Sequence, residues 1–191
     1  PILRYHDRWN EITLSDFDVQ SDAYMGGSRY NVFLNQSKDV SGFNPDFTLR
    51  TTLEEFVIQG MNDLMNYCEQ ENIKALFIIM PQAVAADRIA NQNTIAEMIE
   101  KRELDLLDLR KHTDEIDLDL KTDYYNERHT NLHGSLKVTD YLARYFIENY
   151  GFKDKRGDPA YQNWQEASEK YTALIKPYLY DSDYKYLTSS Y

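Results

Sequence analysis

Two histidines four positions apart, His129 and His133, lie in a polar stretch with Asn126, Glu127 and Asn131, just ahead of Gly134. Imidazole is the side chain best suited to move a proton near neutral pH, so a general base is one chemistry this cluster could supply. Metal binding is a second, with both imidazoles on one helix face and Glu127 or Asp123 completing the set. Gly134 weighs against it, because the following helix reads as opening there, after both histidines. In a third reading His129 merely hydrogen-bonds its own loop. His6 and His112 have no such company. The acid-rich run 114–123 offers carboxylates to calcium but lacks the glycine and ligand spacing of an EF-hand, and reads as a solvated charged loop.

The elements that would position this loop alternate between helix and strand. Thr52 and Glu55 fit a capping box, followed by Leu53, Phe56, Val57, Met61, Leu64, Met65 and Cys68 at three- and four-residue steps. That pattern predicts an amphipathic helix to about Glu71. The apolar run 75–80, stopped by Pro81, predicts a strand buried on both faces. A helix over 85–101, a shorter strand over 104–109 and a closing helix from Gly134 to Gly151 follow. In open α/β sheets ligands gather beyond the carboxyl ends of the strands, which is where the histidine loop falls.

Outside this middle the pattern weakens. Residues 1–50 read as irregular, with turns at Met25-Gly26-Gly27-Ser28 and Asn44-Pro45-Asp46 and a short strand over 30–34. After Lys153, the spacing of Trp164, Ala167, Tyr171 and Leu174 predicts a helix outside the sheet, and 181–191 reads as a loose tail. The predicted class is α/β, a three-layer α/β sandwich with a C-terminal helical extension. Two strands are too few to be covered on both faces, so the sandwich is incomplete here unless the first 50 residues hold more. The domain reading is 1–152 for the α/β part and 153–191 for the extension.

Bulk properties narrow the function classes. A net charge of -11 repels a phosphate backbone, and the densest basic run, Lys153-Asp154-Lys155-Arg156, is broken by an acid. Nucleic acid is therefore not an expected partner. Cys68 is the single cysteine, so no internal disulfide can form and a small buried hydrophobe is its default role. No apolar run approaches the roughly 18 residues of a membrane span. The 16 tyrosines suit a polar groove such as a carbohydrate site, although a tyrosine-rich core edge is the commoner arrangement. The sequence opens at Pro1 without a methionine, which reads as a mature, trimmed or truncated product.

The run Tyr124-Tyr125-Asn126, His129, Asn131, Gly134 and Lys137 resembles the histidine block of SGNH (GDSL-type) hydrolases. It is most similar to a bacterial branch found beside membrane-bound O-acyltransferases, whose members read aromatic-Tyr-Asp-x-x-His-x-Asn-x-x-Gly-x-x-Lys. Further matches are Asn149-Tyr150, Asp154-Lys155-Arg156 and Tyr161-Gln162-Asn163-Trp164, and Tyr5-His6-Asp7-Arg8-Trp9 resembles a mid-family segment. The resemblance implies an SGNH, flavodoxin-like three-layer fold of which this chain is the C-terminal portion. It implies a serine esterase or O-acyltransferase of the bacterial cell envelope, extracytoplasmic or at the cell surface. The expected substrate is acylated carbohydrate or another ester, with a membrane-bound acyltransferase as possible partner and neither cofactor nor metal. By the same resemblance His129 is the catalytic base, Asn126 stands at the usual aspartate position, and Asn131 lies at a substrate-facing position, although fixing the loop suits it better.

Two departures matter. The orienting acid is Asn126, and an amide cannot stabilise an imidazolium as a carboxylate does, so Glu127 or Asp123 would have to swing in to replace it. The serine-bearing strand-turn-helix is also missing: Ser28 follows a glycine turn rather than a buried strand. The alternative function is a catalytically inactive relative that binds glycan or a partner.

Overall fold

The computed structural model describes residues 45–82 and 85–188. They fall into two compact units. The larger takes the described residues of Tyr30–Phe152 together with those of Tyr180–Tyr191, and the smaller takes Lys153–Leu179. The expected turn at 25–28, strand at 30–34, segment 5–9 and Ser28 lie outside the described residues.

In the larger unit the order is α1 (Glu55–Gln70), β1 (Leu76–Ile79), α2 (Ala86–Glu100), β2 (Asp105–Asp108), α3 (Thr113–Ile116), α4 (Leu132–Tyr150) and, after the smaller unit, α6 (Tyr184–Thr188). Strands β1 and β2 pair in parallel, with Leu76 opposite Asp105 and Ile79 opposite Asp108. Parallel neighbours need a long crossover, and α2 supplies it, packing on both strands. The core gathers Leu107 and Leu109 at the end of β2, Ile116 of α3, and Val138 and Tyr141 of α4. Mixed helix and strand with a small parallel sheet is thus the observed class.

Several expectations need correction. The Thr52 capping box does not form: α1 starts at Glu55 behind Glu54, which makes no side-chain cap. The neighbouring Thr51 is instead tied to α2, its N–H donating to Thr94 Oγ1 at 3.2 Å and its carbonyl accepting from the same hydroxyl at 3.1 Å. The apolar stripe is also narrower than its spacing suggests. Met65 and Cys68 are buried, while Phe56 and Leu64 are exposed. Strand β1 is not buried on both faces: Ile78 is exposed. Among the described residues each strand has one neighbour, so both are edges of the sheet.

Helix α4 begins two residues before Gly134, because Asn131 caps it by accepting the Gly134 N–H at 3.1 Å. It ends as expected at Gly151, whose φ of 66° suits a residue without Cβ. The run 114–123 is not a solvated loop, since it contains α3 and the buried Asp123. Nor are residues 181–188 of the expected tail loose. A 3-10 turn (Asp181–Asp183) and α6 lie there, and Asp183 is 2% exposed.

The smaller unit is built on α5 (Gln162–Ile175). A 3-10 turn (Pro159–Tyr161) leads into it, capped by Asp158, whose carboxylate accepts the Ala160 N–H at 3.0 Å. Among the described residues no helix is long and apolar enough to cross a membrane.

Candidate active site

The histidine loop is a closed turn pinned at its base. Tyr124 and Thr130 form an antiparallel bridge. The Tyr125 N–H donates to the His129 carbonyl at 3.2 Å, and the Asn131 N–H to the Asp123 carbonyl at 2.8 Å. Beneath the turn the fully buried Tyr124 donates its hydroxyl to the Pro81 carbonyl at 3.0 Å, fastening the loop to the segment that follows β1. Burial first, and then the Asp123 charge, push this phenol well above the usual tyrosine range, so it stays a donor.

The three other matched positions all converge on the base of that turn. Asn131 is fully buried, caps α4 and donates its amide to the Thr122 carbonyl at 2.7 Å. A Cβ on Gly134 would overlap the Asp123 backbone carbonyl, so only glycine allows α4 to approach this closely. Lys137 donates to Asp123 Oδ2 at 2.9 Å and to the Asp117 carbonyl at 2.6 Å. Asn131 therefore sits where it can fix the loop, with no exposed face for a substrate.

Asn126 organises the turn from inside. Its Oδ1 accepts the Arg128 N–H at 2.9 Å and the His129 N–H at 3.0 Å, and it lies 3.0 Å from His129 Nδ1. Two backbone donors at one oxygen settle which way the amide points, because the flipped NH2 group would face them donor to donor. Nδ1 must then be the donor to Oδ1. The neutral ring accordingly carries its lone pair on Nε2, the atom a general base uses. Tyr125 stacks on the imidazole with centroids 5.3 Å apart and planes within 12°. His129 itself is exposed.

Neither expected substitute for an orienting acid is bonded to the His129 ring in the structure. Asp123 is 1% exposed and its Oδ2 is held by Lys137 and by the Asp119 N–H at 2.7 Å. Glu127 is exposed, with Arg128 at 3.6 Å. The two histidines are not brought together either. His133 is buried in α4, its Nδ1 2.7 Å from Asp183 Oδ2 and its ring stacked on Tyr180 at 4.1 Å. Among the described residues no group of three or more His, Cys, Asp or Glu side chains is arranged to hold a metal ion.

Three contributors were not anticipated. Gln82 donates to the Arg128 carbonyl at 3.3 Å, and its place just past β1 was the available signal. Tyr125 lies in the run that resembles a histidine block, where nothing indicates its stacking, and Asp183 carried no signal, since partners distant in sequence leave no local pattern. Compared with family models, curated proteins and solved structures, the chain gives no match.

Chemically, the arrangement is an exposed imidazole oriented at Nδ1 by an amide oxygen, a contact of the kind a carboxylate makes in a hydrolase triad. In a serine protease, exchanging that aspartate for asparagine costs roughly ten-thousandfold in turnover, through the wrong imidazole tautomer. Here the two backbone donors impose the correct tautomer. An amide oxygen carries no negative charge with which to stabilise an imidazolium.

Proposed function

We propose that the chain is an SGNH-like domain acting as an esterase or O-acyltransferase on acylated cell-envelope carbohydrate, with His129 as general base. The observation that carries this reading is the His129 Nδ1 contact to Asn126 Oδ1 at 3.0 Å, in an exposed turn beyond the carboxyl end of β1. The three-layer sandwich is the fold this reading asks for, and the parallel β1–β2 pair with its crossover helix is the unit from which such sheets are assembled.

In the proposed reaction a serine hydroxyl attacks the acyl carbonyl carbon, and its proton passes to His129 Nε2. The tetrahedral intermediate collapses, the carbon–oxygen bond to the leaving sugar breaks, and Nε2 returns the proton to that oxygen. Water or a second sugar hydroxyl then takes the acyl group by the same steps in reverse order, giving hydrolysis or transfer. No described residue is assigned as the nucleophile. Ser135 is unsuited, since its hydroxyl donates to the Asn131 carbonyl at 2.7 Å. An extracytoplasmic location and a membrane-bound acyltransferase partner belong to the same proposal.

Asn126 in place of an acid favours one second reading, an inactive relative that binds glycan. Labelling the longest natural form of the protein with a fluorophosphonate probe separates the two. Labelling that disappears in His129→Ala supports the serine mechanism. Absence of labelling, together with retained binding to acylated polysaccharide, supports the binding module.

A further inference from the structure

The peptide unit joining Arg128 to His129 is gripped at both ends. Its N–H, on His129, donates to Asn126 Oδ1 at 3.0 Å. Its carbonyl, on Arg128, accepts from Gln82 Nε2 at 3.3 Å across a separation of 46 residues. Gln82 Oε1 accepts in turn from Gln92 Nε2 of α2 at 3.2 Å, and Gln92 Oε1 accepts from Arg110 Nη1 at 3.2 Å. Arg110 is 5% exposed and doubly bonded to Asp108, from Nε to Oδ1 at 2.7 Å and from Nη2 to Oδ2 at 2.6 Å. A continuous line of polar contacts thus runs from a buried ion pair at the end of β2 to the backbone of the candidate base.

The sense of every bond in that line follows from its first member. A guanidinium can only donate, so Gln92 must turn its oxygen toward Arg110 and its NH2 toward Gln82. Gln82 must then receive with its oxygen, which leaves its own NH2 for the Arg128 carbonyl.

We propose that Gln82 is a positioning residue for His129, with its amide orientation dictated by Arg110 through Gln92. The inference rests on the reading of His129 as a base. Without the Gln82 amide the 128–129 peptide is free to turn, and the His129 N–H leaves Asn126 Oδ1. The amide of Asn126 then loses one of the two donors that make it present oxygen to the ring, and the Nδ1–H tautomer is held only through the Arg128 N–H.

The test uses Gln82→Leu and Gln92→Glu in the full chain, read by long-range proton–nitrogen correlation of the His129 imidazole. Gln92→Glu is the discriminating variant. Its carboxylate still accepts from Arg110, so a merely structural anchor is preserved, but it cannot donate to Gln82. We expect the wild type to show a single Nδ1–H tautomer and both variants a mixture, with thermal midpoints unchanged. If the wild type turns over an ester, kcat should fall about tenfold in both with KM unchanged, roughly the worth of one hydrogen bond. A His129 nitrogen pattern identical to wild type in both variants overturns the proposal. Absence of ester turnover in the wild type counts against the base reading alone, because the ring pattern decides the positioning role without it.

Discussion

His133 and Asp183 stand 50 residues apart in the chain and meet at 2.7 Å, with both side chains at 4% exposure or less. The contact ties the start of α4 to the segment carrying α6, and Tyr180 completes it by stacking on the imidazole while donating its N–H to Asp183 Oδ2 at 2.8 Å. Removing one member leaves the other buried without its partner. Asp183→Ala should cost about 3 kcal/mol in urea unfolding. It should also expose the segment beyond Tyr180 to limited proteolysis, while leaving the Tyr125–His129 stack intact.

Gly134→Ala should be among the most damaging single-methyl changes in the chain. The added Cβ meets backbone and Cβ of Asp123 rather than the flexible end of a side chain, so α4 itself must move. We expect a loss of about 2 kcal/mol in unfolding free energy. The His129 ring resonances should shift with it, because Asp123 is the base of their turn.

Lys137→Met keeps the apolar stem and removes the charge. It strands the Asp123 carboxylate, 1% exposed, with fewer donors, and should cost about 3 kcal/mol. The double variant Lys137→Met with Asp123→Asn should recover much of the loss. Equal unfolding midpoints for the two would argue that the pair carries no coupling.

Glu97 gives a pH prediction away from the site. Its bond to Lys101 first, and to Arg50 second, hold the carboxyl at about 2, against an ordinary 4.5. A depressed folded-state value stabilises fully above the unfolded value and is lost as pH falls through the folded one. The wild-type unfolding midpoint should therefore decline between 4.5 and about 2 more steeply than that of Glu97→Gln. The side chain is 35% exposed, so solvent ions screen the pair and the difference should shrink in high salt.

What the sequence made legible follows the range of the signal. The helices α2, α4 and α5 and both strands can be read within a few residues, because their periodicity is local. Asn131, Gly134 and Lys137 stand out in the sequence only through a resemblance, and what they do in this fold could not be read there. Their common target, Thr122–Asp123, sits in a run that composition alone marks as solvated acid. The failures have the same root. Phe56 and Leu64 keep helical spacing yet stay exposed, since spacing shows that a face is apolar and not how much of it is covered. Asp183 falls in a stretch without period, and its burial depends on His133, which no local pattern reveals. At Asn126 the sequence suggests a degraded triad. The two backbone donors on its Oδ1 restore the tautomer, and they belong to a turn whose closure cannot be inferred from residue types.

The account turns on His129 acting as a base held by Asn126, and turnover of an activated acetyl ester by wild type, His129→Ala and Asn126→Asp tests it most directly. A carboxylate at 126 keeps the geometry and adds the charge that stabilises the imidazolium, so Asn126→Asp should exceed wild type by about tenfold or more, while His129→Ala falls far below wild type, toward the residual rate that binding alone supports. Wild-type turnover undiminished in His129→Ala would contradict it.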